Sequence, residues 1–287
     1  MVKEIFIFVD GVGLAPAAPD NPVCEEVCPY LCDLIAHHSV PVDACLGVEG
    51  LPQSATGQAT MFTGRNASKH MGRHVEGFPG PTLRKFVEES NVFLQLKAMG
   101  KTCRFADAYL ADSVDSIRAR RFRSVTTTMA LTCPETISLK DDLFANRAVL
   151  HDITRACLVA KGYQDPLITP VTAATHLIQI ALAYDYTLFE FFLSDKAGHS
   201  GNMELARETL HTLDDFLREV FSLANSHGFG ITMCSDHGNI EAMSVKGHTR
   251  NLVPLVAIGP GSEELLGQAK SLIDLTPIIV SSLKSHQ

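Results

Sequence analysis

This sequence predicts an α/β fold, a three-layer αβα sandwich around a largely parallel central sheet, and two observations carry the prediction. Four short runs rich in β-branched or aromatic residues, 4–9 (EIFIFV), 186–193 (YTLFEFFL), 229–234 (FGITMC) and 252–258 (LVPLVAI), read as buried strands. Helical patterns at 82–99, 146–161, 171–184 and 202–227 lie between them, and such alternation places helices on the faces of a sheet.

The 202–227 pattern is the most explicit, with Leu213, Phe216, Leu217, Val220 and Phe221 on one face and Gly228 as the C-cap. Composition shifts once, across 108–145, where Arg118, Arg120, Arg121 and Arg123 precede the polar run TTTMALTCPETISLKDD. We read 108–145 as a small cap or insertion, which leaves 1–107 and 146–287 as the core.

The chain has 287 residues, 46% of them hydrophobic, enough to bury a full core. Its net charge of −8 argues against nucleic-acid or anionic-membrane binding, which need a basic surface. The apolar run before Asp10 is too brief for a secretory signal and no stretch has the length of a membrane span, so a cytoplasmic location is expected. The eight cysteines then read as reduced thiols, with Cys24, Cys28 and Cys32 assigned to packing.

Three predicted strands end at or near an aspartate: Asp10, Asp195 and Asp236. Ligands of open α/β sheets bind outside the carboxyl ends of the strands, where these side chains can converge. Three converging carboxylates repel one another unless a cation joins them. His199, His237 and His248 accompany them, and mixed Asp and His ligation suits Zn²⁺ or Mn²⁺ better than Ca²⁺. Each residue alone has an ordinary structural reading, a helix cap or a hydrogen-bonded histidine; their joint occurrence favours a metal site.

The segments FVDGVG, SDKAGHSG, SDHGNIEAM and GHTRNLVPL resemble the metal-binding motifs of the alkaline phosphatase superfamily, in particular its cofactor-independent phosphoglycerate mutase and phosphopentomutase branch. QSATGQATMFTGR resembles the nucleophile motif of that branch and SLIDLTPIIVSSL its closing helix. The resemblance implies an alkaline phosphatase-like fold and two divalent cations, Mn²⁺ or Zn²⁺ with Mg²⁺ as the alternative. One would be held by Asp195, His199 and His248, the other by Asp10, Asp236, His237 and the Ser54 oxygen. Ser54 is the implied nucleophile and a phosphoserine the implied intermediate.

The sequence departs from the branch where Gln58 replaces a histidine and Ala55 an acidic residue, and it lacks the arginine-rich lid motif. A mutase must shield its phosphoserine from water. The expected activity is therefore a phosphatase or phosphodiesterase acting on a small phosphorylated metabolite. A phosphomutase and a non-catalytic metal-binding scaffold are the alternatives. Arg65, Arg73, His74, Arg118 and Arg120 are the expected substrate-binding residues: the arginines at 118–123 because guanidinium forks pair with carboxylate and phosphate, with a solvated helix face as the alternative, and Arg73 and His74 as residues of the pocket mouth, with a structural loop as the alternative.

Overall fold

A computed structural model describes residues 2–164 and 166–285. Its six strands are β1 (Glu4–Val9), β2 (Ser39–Val42), β3 (Cys103–Phe105), β4 (Tyr186–Phe191), β5 (Gly230–Cys234) and β6 (Val253–Ile258), in the order β2-β6-β5-β1-β4-β3. β1 runs parallel to β4 and β5, and β3 parallel to β4, whereas β6 is antiparallel to both its neighbours. β1, β4, β5 and β6 occupy the runs predicted as strands. The edge strands β2 and β3 are too short and too polar, through Ser39 and Arg104, to stand out in the sequence.

The main helices are α1 (Pro29–His38), α2 (Ser54–Thr63), α3 (Pro81–Glu89), α4 (Val92–Ala98), α5 (Pro170–Ala181), α6 (Leu193–Ser200), α7 (Met203–Ser226) and α8 (Leu275–Ser285). Alternate residues of each strand face opposite sides of the sheet. Phe6, Phe8 and Leu188 pack with Ala55, Ala59 and Phe62 of α2 and with Leu275 and Ile278 of α8. Ile5, Ile7, Phe189 and Phe191 instead meet Leu31 of α1, Leu177 of α5 and Phe216 of α7. These two cores make the three layers. Phe62 stands edge-on to Phe6 and Phe8, at 5.7 and 5.9 Å between ring centroids, so α2 is anchored directly over β1.

Two predicted helices differ in the structure. The 82–99 pattern is broken at Asn91, which caps α4 by accepting from the Leu94 amide and donates to the Val87 carbonyl. In the 146–161 pattern only Ala156–Val159 is helical. Asn146, Ile153 and Arg155 adopt left-handed backbone, and the Asp152 carboxylate accepts from the Arg155 and Cys157 amides, closing a local turn in place of a helix.

The 108–145 stretch lies within the crossover from β3 to α5. Val125, Met129, Ala130 and Ile137 join the α2-side core, while Ala108, Leu143, Ala148, Leu150 and Leu158 form a small cluster of their own. Among the described residues no helix is long and apolar enough to cross a membrane.

Candidate active site

The carboxyl ends of β1 and β5 and the start of α6 bring the predicted acids together. Asp10 directly follows β1 and Asp236 follows β5 by two residues. Asp195 is not at a strand end as expected: β4 stops at Phe191, and Asp195 lies in the first turn of α6 with His199 one turn later. That spacing puts both side chains on one helix face. Gly11 makes the approach possible, since it has a φ of +73° and a Cβ there would sit 2.8 Å from that of Asp195.

The imidazoles complete the cluster. His237 Nε2 is 3.2 Å from Asp10 Oδ1 and 3.6 Å from Asp236 Oδ2. His248 Nε2 is 3.5 Å from Asp195 Oδ1, and His199 Nε2 lies 3.4 Å from Asp195 Oδ2 and 3.0 Å from His248 Nε2. The His237 and His248 rings stack with centroids 3.6 Å apart. His248 Nδ1 faces the Pro52 carbonyl at 2.8 Å, so that nitrogen carries a proton and the contact orients Nε2 into the site.

Two groups of donor atoms lie within 4.8 Å of one another, Asp195–His237–His248 and Asp10–Asp236–His237. They share His237 and coincide with the expected sets except that His237 appears in both and His199 closes on the first from outside. This donor chemistry fits a pair of divalent cations. Asp10 Oδ1 is buried without a hydrogen bond, and burial together with the charges of Asp10 and Asp195 drives the Asp236 carboxyl well above its ordinary range. Burial also opposes ionisation of Asp195, but the hydrogen bond from His248, with His237, Asn239 and His199 around it, pulls its pKa down to about 2. His237 is depressed by burial, and its contact with Asp10 more than offsets this. An anionic Asp195 beside an Asp236 that resists ionisation describes a cluster short of positive charge.

Ser54 is the first residue of α2, and its Oγ lies 2.9 Å from His237 Nε2. Gln53 provides no side-chain cap, leaving the positive end of the helix dipole beside the serine. Gln58, one turn further on, directs Nε2 at both Asp10 Oδ2 and Asp236 Oδ2, each at 3.3 Å. Its amide thus partly offsets the repulsion between the two carboxylates.

A cavity of about 660 Å³ opens over Ser54, Gln58, Asp10 and Asp195. Of the expected substrate-binding residues, Arg120 lines it. Arg65, Arg73, His74 and Arg118 are not among its lining residues. Arg65 stacks on Phe86, donates to the Phe86 carbonyl and pairs with Glu89. His74 is held by Ser68 and the Val48 carbonyl, and Arg118 pairs with Asp115.

Three carboxyl groups of the site were missed by sequence reasoning. Glu190 and Asp107 line the cavity floor with Asp10. Burial lifts Glu190 to about 7, against a hydrogen bond from Thr126, and burial with the Glu190 charge raises Asp107. The available signal was an acid inside the apolar run YTLFEFFL. Glu241 accepts from the Gly13 and Asn239 amides, Thr249 Oγ1 and Asn251 Nδ2, tying together the loops that carry Asp10, Asp236, His237 and His248. Asn239 in turn donates to Asp195 Oδ1 at 2.6 Å.

Residues 159–287 match the model of the Metalloenzyme superfamily; this region holds Asp195, His199, Asp236, His237 and His248. Curated relatives include the 2,3-bisphosphoglycerate-independent phosphoglycerate mutases of Anaplasma phagocytophilum, 30% identical over 111 residues, and Coxiella burnetii, 29% identical over 124 residues. These alignments cover 36% and 40% of this chain but only 22% and 24% of the relatives. Among solved structures, the PH0037 protein from Pyrococcus horikoshii aligns with a TM-score of 0.60 at 13% identity, over 99% of this chain and 97% of that one. Alkaline phosphatase from the Antarctic bacterium TAB5 aligns with a TM-score of 0.53 at 13% identity, over 99% of both chains. These two likenesses are of fold.

Proposed function

Because this chain belongs to the metalloenzyme superfamily of alkaline phosphatase-like fold, near the cofactor-independent phosphoglycerate mutases, we propose that it is a metal-dependent phosphohydrolase attacking phosphate esters through Ser54. The observation that carries this reading is the position of Ser54 Oγ, at the uncapped start of α2 and 2.9 Å from His237 within the cluster of acids and imidazoles. Asp195, His199 and His248 would hold one cation, and Asp10, Asp236 and His237 the other. Mn²⁺ or Zn²⁺ bound there supplies Lewis-acid chemistry, lowering the pKa of a hydroxyl and neutralising phosphoryl charge.

The protein's own part is positioning. α2 aims Ser54 Oγ at phosphorus and turns its dipole toward the phosphoryl oxygens. A bond forms from Ser54 Oγ to phosphorus as the ester P–O bond breaks, and the proton given up by Ser54 Oγ ends on the departing oxygen, so that the alcohol leaves into the cavity. Water then releases phosphate from the serine. We assign the cap to 108–145, whose Tyr109, Leu110, Arg120, Ser124 and Thr127 border the cavity.

The mutase relatives favour a second reading, phosphoryl return to another hydroxyl of the same substrate. The exposed residues at the cavity's edge, Phe78, Arg120, Lys161 and Lys196, favour hydrolysis, since water reaches the serine past them. Turnover of p-nitrophenyl phosphate and bis-p-nitrophenyl phosphate by the Mn²⁺-loaded protein tests the proposal. Wild type should release p-nitrophenol and Ser54→Ala should lose about 10³-fold or more in kcat. Equal turnover by the two overturns it, and isomerisation of a phosphorylated substrate without phosphate release selects the mutase.

A further inference from the structure

The walls of the cavity describe the substrate more narrowly than its floor does. About 660 Å³ is the size that takes a drug-sized ligand. A phosphoryl group on a three-carbon acid fills only part of such a cavity. Phe105, Tyr109, Leu150 and Phe192 line its interior. At the mouth, Phe78 is 55% exposed and meets Phe122, 59% exposed, with ring centroids 5.7 Å apart. The apolar wall thus continues out to solvent.

The charges are distributed just as unevenly. Three cations line the cavity, Arg120, Lys161 and Lys196, and among the described residues none is ion-paired with a carboxylate. In β3 and the crossover, Arg104 and Arg147 pair with Asp142, Arg118 with Asp115 and Lys140 with Asp112, while Arg155, away from the cavity lining, donates to the Leu143 carbonyl and Asn146 Oδ1. Two of the cavity cations rest on aromatic walls instead. Lys196 Nζ is 4.5 Å from the Phe192 ring centroid and the Arg120 guanidinium 5.8 Å from that of Tyr109. Asp10, Asp107, Glu190 and Asp195 line the same cavity at its floor, whereas Arg120, Lys161 and Lys196 stand at its exposed edge, and these cations away from the acids mark a place for a second anion.

Resting on the phosphohydrolase reading, we propose that the substrate is an amphiphilic phosphate ester. Its leaving alcohol carries an extended, largely apolar or aromatic body that lies along Phe105, Tyr109, Leu150 and Phe192, and a remote anionic group, carboxylate or phosphate, that meets Arg120 and Lys196. Compact polar esters such as a phosphoglycerate fill neither part.

The test compares kcat/KM of the Mn²⁺-loaded full chain on 4′-carboxybiphenyl-4-yl phosphate, 4′-phosphonobiphenyl-4-yl phosphate, phenyl phosphate and 3-phosphoglycerate. At least one biphenyl ester should exceed phenyl phosphate by about tenfold or more, chiefly through KM, and the better of the two identifies the anion. The ratio should fall toward one in Arg120→Gln/Lys196→Gln and persist in Arg118→Gln, each protein serving as its own control for folding. A ratio near one in wild type, or one unchanged by the double substitution, overturns the inference while leaving the catalytic reading intact. Calorimetric titration with the matching biphenyl and phenyl phosphonates reads the same preference without turnover. Tight biphenyl binding that depends on Arg120 and Lys196, with no ester cleaved, keeps the inference and removes the catalytic reading; equal binding of the two phosphonates overturns the inference.

Discussion

Ser54 Oγ and His237 Nε2 lie 2.9 Å apart across 183 positions of sequence, and Gly57 is what lets them meet. A Cβ at Gly57 would fall 2.9 Å from the Asp236 carbonyl oxygen and 3.0 Å from Asp236 Cβ, so α2 rests directly on the loop that carries Asp236 and His237.

Gly57→Ala should therefore move Ser54 away from His237. Misplacement by about 1 Å costs on the order of 10²-fold in rate. Steady-state kinetics on p-nitrophenyl phosphate should show that loss in kcat, with the far-ultraviolet circular dichroism of wild type retained. An unchanged kcat would mean that the contact does not set the geometry.

Metal removal should destabilise the protein in proportion to the charge deficit of the cluster. At free Mn²⁺ 100-fold above its dissociation constant the expected stabilisation is about 2.7 kcal/mol, read as a rise in Tm that a chelator reverses. Asp236→Asn removes a buried carboxylate that Asp10 and Asp195 repel. Its metal-free form should melt higher than metal-free wild type, and its rise with Mn²⁺ should be smaller. A full metal-dependent rise in this variant would place the cation elsewhere.

Glu241→Ala should weaken both fold and site, because the Gly13 and Asn239 amides and the Thr249 and Asn251 side chains lose their shared acceptor. Hydrogen bonds to a charged group contribute about 1.5–3 kcal/mol each and are not additive, so a loss of about 3–5 kcal/mol is expected by denaturant titration. Mn²⁺ affinity should fall about 10–100-fold in calorimetry under conditions where the variant is folded. Wild-type affinity would show that the loops hold their form without Glu241.

Glu4 makes stability depend on pH at the end of β1 away from Asp10. Burial lifts its carboxyl to about 8 from 4.5, partly opposed by the hydrogen bond from Thr232. The folded state then holds a proton that the unfolded state releases above about 4.5. The associated stability is complete below that value and is lost as pH rises through about 8, with a slope of up to about 1.4 kcal/mol per pH unit. Denaturation midpoints between pH 5 and 8.5 should fall in wild type and flatten in Glu4→Gln. Parallel curves would show that Glu4 ionises freely in the fold.

The sequence by itself determined the parts of this protein that depend on local pattern. The four apolar runs became β1, β4, β5 and β6 because strands covered on both faces must be apolar throughout. Asp10, Asp195, His199, Asp236, His237 and His248 could be singled out because they occur together at or near the ends of such runs, and the fold brings their side chains within a few ångströms of one another.

Only the tertiary structure decided which arginine faces the cavity, how Gln58 bridges Asp10 and Asp236, and that Glu190, Asp107 and Glu241 belong to the site. Arg118 and Arg120 are two residues apart, yet Arg118 ends the short helix Val114–Arg118 and finds Asp115, whereas Arg120 lies beyond the Ala119 C-cap and lines the cavity. The physical reason is general to the chain. Strand and helix patterns are written by neighbours two to four positions away, whereas the partners of buried polar groups come from residues up to 228 positions distant and exist only once the sheet has assembled.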